Sequence, residues 1–270
     1  MLRSNYHTHT TYCDGVSSPI EMADEAIRLG LSELGFSSHS PLEGEDWCLP
    51  AGRALEYFDE ISALREVYRE RIKIFVGIEQ DYMSEKIDLP FDYIIGSVHS
   101  VETAIGERAV DISSEDVALT VEKYFGGDVY TFSEAYYERV GDVVAVTGCD
   151  IIGHFDLVTK FTERGVPIDE LHPRYVAAQD KALDKLLSTN AVFEVNTGAM
   201  ARGYRALPYP NSRVLRRIAE AGRPVVVNSD CHSKDGLIYG FDTVIPMLSA
   251  LSIREIGAMS EIISIARNNK

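Results

Sequence analysis

Positive charge is scarce in this chain. Its 26 lysines and arginines face 42 aspartates and glutamates, a formal net charge of −16 over 270 residues. So acidic a surface repels phosphate backbones and anionic lipid, which disfavours bulk binding to nucleic acid or to a membrane. Part of the acid need not be surface charge, because carboxylates gathered around divalent cations are offset by them. Long apolar runs are missing as well: nothing approaches about 18 consecutive apolar residues, so no membrane-spanning helix is expected. Met1 to Asn5 show no basic stretch leading into an apolar one, so no signal peptide is expected either. Cysteine is sparse, and Cys13, Cys48, Cys149 and Cys231 stand apart without C-x-x-C spacing, which reads as free thiols. These absences lead us to expect a cytoplasmic protein. Low-complexity tracts, Pro/Gly/Ser-rich linkers and obvious repeats are absent too.

What the chain does contain is an alternation. Strand-like runs occur at Leu2–Thr8, Glu33–Ser38, Ile72–Ile78, Tyr93–Val98, Asp150–Gly153, Ala191–Val195 and Pro224–Ser229. Continuous apolar stretches such as Ile74-Phe75-Val76 and Val225-Val226-Val227 suit strands covered on both faces. Amphipathic stretches follow most of them. Ser18-Pro19-Ile20-Glu21 offers an N-cap, a proline at the first helical position and a capping-box glutamate, and Gly30 closes that helix. Helical patterns also cover Arg53–Arg71, Ser114–Tyr124, Ser133–Val146, Pro173–Leu187 and Ser212–Ala221, and Ser252-Ile253-Arg254-Glu255 reads as the capping box of a last helix. With 45% hydrophobic residues the chain can bury a sizeable core. Seven strands alternating with helices predict a single α/β domain over residues 1–270, a (β/α) barrel slightly short of the usual eight. The competing fold is an open doubly wound sheet; no G-x-G-x-x-G follows a strand, which weakens a nucleotide-binding version of it.

Of the seven histidines, six (His7, His9, His39, His99, His154 and His232) fall at or just past the C-terminal end of a predicted strand. Active-site residues of α/β barrels come from that end. His172, in a Leu-His-Pro stretch, does not, and reads as a surface residue. Residues two apart in a strand point the same way, and His7/His9, Glu79/Asp81, His154/Asp156, Glu194/Asn196 and Asp230/His232 form such pairs. Carboxylates and imidazoles held that close need a cation, because like charges and desolvation otherwise oppose ionisation. Imidazole with carboxylate suits zinc, iron or manganese, and the donors exceed the three or four of one zinc site, so more than one metal is implied. Cys231, between Asp230 and His232, should point away from the site and pack; Cys13, before Asp14, stands near the metals.

The motifs His7-Thr8-His9, Ser38-His39, Gly77-Ile78-Glu79, Ser97-Val98-His99, Gly153-His154-Phe155-Asp156 and Ser229-Asp230-Cys231-His232 resemble, in order, those of the polymerase and histidinol phosphatase (PHP) superfamily. They span residues 7–232. Tyr6 to Thr10 with Cys13-Asp14-Gly15, Gly77 to Tyr82, and Asn196 to Arg205 resemble its histidinol-phosphatase branch. The resemblance implies a distorted (β/α)7 TIM-like barrel with a trinuclear centre of two to three divalent ions. It implies one metal on His7, His9, Glu79 and Asp230, a second on a bridging Glu79 with His99 and His154, and a third on Asp14, His39 and His232. It also brings Lys160 forward as a phosphate contact, at a place where relatives often carry arginine; Ser38 stands where many members have aspartate.

The implied activity is hydrolysis of L-histidinol phosphate, a step of histidine biosynthesis, by a metal-activated hydroxide, with Glu79, Asp230 and Arg202 central to catalysis. Ser100 and Arg202 would help neutralise the phosphoryl oxygens, with Arg205 a second arginine beyond the sixth strand. Asp81 and Asp156 are candidates for the ammonium and imidazole of the alcohol. The expected partner is thus a small phosphate ester, with no nucleic acid and no membrane. The alternatives are a PHP-type phosphoesterase acting on another small phosphate or a nucleotide, an amidohydrolase-type metal hydrolase, whose metal-bridging lysine is missing from every strand end, and a non-catalytic metal-binding protein.

Overall fold

The computed structural model describes residues 3–268; Met1, the Leu2 that opens the first predicted strand, Asn269 and Lys270 lie outside the described residues. Seven parallel strands, β1 (Ser4–Asn5), β2 (Glu33–Phe36), β3 (Lys73–Asp81), β4 (Tyr93–Ser97), β7 (Ile151–Ile152), β8 (Val192–Asn196) and β9 (Val225–Asn228), form one sheet in chain order. Between β4 and β7 lies an antiparallel hairpin, β5 (Ser100–Thr103) and β6 (Gly106–Ala109), which the sequence pattern did not announce. The sheet nearly closes on itself. Asn5 donates from Nδ2 to Ser229 Oγ at 2.6 Å, Tyr6 N donates to Asn228 Oδ1 at 2.8 Å, and a parallel bridge joins Thr8 to Cys231. This is the expected distorted (β/α)7 TIM-like barrel.

The helices follow their punctuation. In α1 (Pro19–Arg28), Glu21 N donates to Ser18 Oγ and Ser18 N donates back to Glu21 Oε2, the anticipated reciprocal cap. The other helices expected on the barrel's outside appear as α2 (Ala54–Tyr68), α3 (Ser114–Tyr124), α4 (Val129–Thr147), α5 (Pro173–Leu187) and α7 (Ser212–Glu220), after the four-residue α6 (Gly198–Ala201). Helix α4 starts earlier than its apolar pattern, because Asp128 caps it by accepting from the backbone of Tyr130 and Thr131. The last capping box is a correction. Ser252 takes φ 57° and ends the turn after α8 (Phe241–Ala250), Glu255 bridges to Val225, and the last helix among the described residues, α9 (Met259–Arg267), begins only there.

Below the site the barrel is filled. Tyr6, Tyr93, Ile95, Ile151, Val192 and Val226 pack together with Met259 and Ile262 of α9. Tyr93 needs room that only glycine leaves: a Cβ on Gly77 would lie 2.3 Å from its ring, and one on Gly35 2.3 Å from its hydroxyl. With that end plugged, the C-terminal strand ends remain as the open mouth. Among the described residues, no helix is long and apolar enough to cross a membrane.

Candidate metal centre

All six strand-end histidines converge at that mouth. One ligand atom from each member lies within 4.8 Å of the others in four overlapping sets: His9–Asp14–His39–His232, His7–His9–Asp230, His7–Glu79–His154 and His39–Glu79–His99. Glu79, carried to the mouth by the nine-residue β3, is buried at their centre. Its two oxygens face different histidines. Oε1 lies 3.0 Å from His154 Nε2 and 3.5 Å from His99 Nε2; Oε2 lies 3.2 Å from His7 Nε2, 3.5 Å from His9 Nε2 and 2.7 Å from His39 Nδ1. Asp230, at φ 49°, adds Oδ1 at 3.3 Å from His9 Nε2 and 3.7 Å from His7 Nε2. Asp14 stands to one side, 3.2 Å from His232 Nε2 and 3.6 Å from His39 Nε2.

Behind the histidines sit groups that aim them. His7 Nδ1 lies 2.8 Å from Glu194 Oε1, and His99 Nδ1 lies 2.8 Å from Asp81 Oδ2. An ionised carboxylate can only accept, so each contact puts the proton on Nδ1 and presents Nε2 to the centre as a lone pair. Glu194 is held in turn by the Nδ2 groups of Asn196 and Asn228 and by His154 N, each donating at 2.9 Å. The Cys13 Sγ rests 3.5 Å from His9 Nδ1. Cys231 turns away, buried among apolar side chains, as strand alternation predicts.

The electrostatics ask for cations. Burial alone raises the Glu79 carboxyl, but His7, His39 and the bond from His154 outweigh it and hold it well below the usual carboxylate range. Asp230 behaves alike through Arg202 and His7. Burial, with the neighbouring His39 and His232, pushes the His9 imidazole down to about 3, the neutral form a metal needs. His7 Nε2 and His9 Nε2 are buried without a hydrogen-bond partner although carboxylate oxygens face them. The carboxylates around His7 raise its imidazole and so favour a positive charge at this place; a divalent cation between the nitrogens and the oxygens supplies that charge, and the donor set fits ions of the zinc, iron or manganese kind.

The expected substrate contacts divide. Arg202 reaches the rim of the cluster, donating from Nη2 to Asp230 Oδ2 at 3.1 Å and from Nη1 to Asp230 O at 3.0 Å, with His232 Nδ1 3.2 Å away. Lys160 lies on the His99 and His154 side, where Nζ donates to the backbone and carboxylate oxygens of Asp111 at 2.7 and 3.1 Å. Asp111, which sequence reasoning missed, is charge-coupled to both histidines: burial raises its carboxyl, and Lys160, His99 and His154 bring it below the ordinary value.

Four contacts are corrected. Asp81 Oδ2 is engaged by His99 Nδ1, as described. Asp156 is fully buried, accepts from Asn211 N at 2.8 Å, and is pushed up to about 7 by burial. Arg205 is tied to Glu170 at 3.0 Å and to Thr159 O at 3.0 Å. Ser100 donates to Glu107 Oε2 at 2.7 Å, beside the Arg139–Glu107 ion pair. His172 is the N-cap of α5, its ring stacked 3.7 Å from that of Tyr130. Glu194 carried a signal, its strand-end pairing with Asn196; Asp111, past a hairpin, carried none.

The PHP domain family description matches residues 5–198 of the chain. A "Probable histidinol-phosphatase" of Deinococcus radiodurans is 29% identical over 264 residues, with 93% of this chain and 92% of that protein covered. The histidinol-phosphatase of Bacillus subtilis is 24% identical over 266 residues, with 90% and 98% covered. The crystal structure of histidinol phosphate phosphatase from Lactococcus lactis, complexed with zinc, L-histidinol and phosphate, superposes with a TM-score of 0.73 at 23% identity over 94% of this chain and 95% of that one.

Proposed function

Because the chain belongs to the PHP domain family, we propose that it is a metal-dependent phosphomonoesterase that hydrolyses L-histidinol phosphate to L-histidinol and phosphate. The observation that carries this reading is the division of Glu79, with one oxygen toward His99 and His154 and the other toward His7, His9 and His39. Two near full-length relatives bearing the name histidinol-phosphatase supply the substrate.

In this reading His7, His9, Glu79 and Asp230 hold one ion, Glu79 with His99 and His154 a second, and Asp14, His39 and His232 a third. Bound divalent cations supply charge for the phosphoryl oxygens and acidify water. The chain's own groups do the rest. Glu194 and Asp81 hold the protons of His7 and His99 on Nδ1, so the ligand nitrogens stay fixed. Arg202 offers a planar fork at the rim for two phosphate oxygens, which orients the ester as well as neutralising it. Lys160, tethered by Asp111, adds positive charge on the opposite side. The net charge of −16 suits an alcohol that carries an ammonium and disfavours gripping nucleic acid. One domain over residues 1–270, working in the cytoplasm, completes the proposal.

The test is steady-state turnover of histidinol phosphate beside an aryl phosphate, a nucleotide monophosphate and single-stranded DNA, on protein of measured metal content. The expected result is a clear preference for histidinol phosphate. Equal turnover of the aryl phosphate, or release of nucleotides from DNA, would point to a different phosphoesterase.

A further inference from the structure

The loop from Ser40 to Pro50 joins β2 to α2 and is pinned at both ends to the strand ends that carry the metal-binding candidates. Ser40 N donates to Glu79 O at 2.8 Å, Asp81 N donates to Ser40 Oγ at 2.9 Å, and Leu49 N donates to His39 O at 3.1 Å. Between these anchors Glu43, Gly44, Glu45 and Asp46 are exposed, and Trp47 turns back half-buried. Its indole does not join the apolar core. It lies edge-to-face on two imidazoles of the metal centre, 4.8 Å and 85° from His39, 5.7 Å and 65° from His99. The indole N–H donates to Glu45 Oε2 at 2.8 Å, which fixes the ring and sets a carboxylate beside it.

A large aromatic placed at the mouth, on metal-binding imidazoles, contributes little to core packing. Indole is the strongest side-chain partner for a cation and stacks well on another flat ring. We propose that Trp47 is a specificity-determining residue: the wall against which the cationic, aromatic alcohol half of the phosphomonoester packs, with Glu45 completing the surface for its positive charge. The proposal rests on the phosphatase reading above and adds to it the element that chooses the alcohol.

Trp47 is the one tryptophan of the chain, so its emission reports on this wall alone. The experiment titrates metal-loaded wild type with L-histidinol while following that emission. It then compares kcat and KM of wild type, Trp47→Phe and Trp47→Ala for histidinol phosphate and for glycerol 1-phosphate, which has neither ring nor ammonium. Metal content is measured on the same samples. Saturable quenching is expected, together with a roughly tenfold fall in the preference for histidinol phosphate in Trp47→Ala, mostly through KM, and partial recovery in Trp47→Phe. Emission indifferent to L-histidinol, or both esters slowed alike with loss of metal, overturns the proposal and leaves Trp47 a shield for its two histidines. A wild type without preference for histidinol phosphate takes down the substrate reading and this one together. Preference in the wild type that Trp47→Ala retains overturns Trp47 alone.

Discussion

On β3, Glu79 and Asp81 stand two residues apart and serve one site; at the end of β7, His154 and Asp156 stand two apart and part company. The difference lies in how far each strand runs. β3 stays extended through Asp81, paired with β4 up to Ser97, so alternation carries both carboxylates to the mouth. β7 is paired only over Ile151 and Ile152, and the chain then turns, with Leu157 N donating to His154 O at 3.0 Å. His154 still faces Glu79, while Asp156 is swung under the turn to Asn211, near Arg205. An i, i+2 pair therefore keeps to one site where strand pairing runs through it, as for Glu79 and Asp81, or where a bridge such as Thr8 to Cys231 braces it, as for His7 with His9 and Asp230 with His232.

Five substitutions at four positions test that contrast. Glu79→Ala should abolish turnover and deplete the metals, because both of its oxygens face ligand histidines; full metal occupancy by elemental analysis would break the central role given to it. Asp81→Asn keeps size but loses the charge that orients His99, and should lower metal affinity or kcat/KM by about 10–100-fold, the usual cost of removing such a supporting group. Arg202→Ala should retain its metals and lose roughly 1.5–3 kcal/mol of charge-assisted phosphate contact, about one to two decades in kcat/KM. Arg202→Lys should recover only part, since an ammonium lacks the planar fork; wild-type kinetics in Arg202→Ala would move attention to Lys160. Asp156→Ala, the partner left out, should leave kcat/KM near the wild-type value yet destabilise the fold by about 1–3 kcal/mol, because Asn211 N loses its buried acceptor. Denaturant midpoints read the last effect, and a collapse of activity at unchanged stability would restore Asp156 to the site.

The same contrast shows what was legible in advance. Apolar runs such as Val225-Val226-Val227 and the histidines behind them marked the strands and the mouth, since burial on both faces and ligand chemistry leave local traces. Asp81 and Asp156 looked alike because nothing in their own residues encodes where the ladder stops. Ser100 and Arg205 were expected to contact phosphate, but their partners, Glu107 and Glu170, lie across a hairpin that no periodicity marked or far along the fold. Ser252 fitted a capping box by letter, yet its backbone adopts φ 57°, which a helix N-cap does not.

The seam between β1 and the last strand also has a meaning in time. Asn5 bonds Ser229 across 224 positions of sequence, and Thr8 pairs with Cys231. His7 and His9 therefore leave the ribosome early, and Asp230 and His232 follow on the order of ten seconds or more later at ordinary elongation rates. Until then the first two imidazoles have no carboxylate from the far edge to share a cation with. Completion of the centre is thereby deferred to the end of synthesis: a nascent chain that stalls before its seventh strand carries the candidate ligands from His7 to His154 but lacks Asp230 and His232.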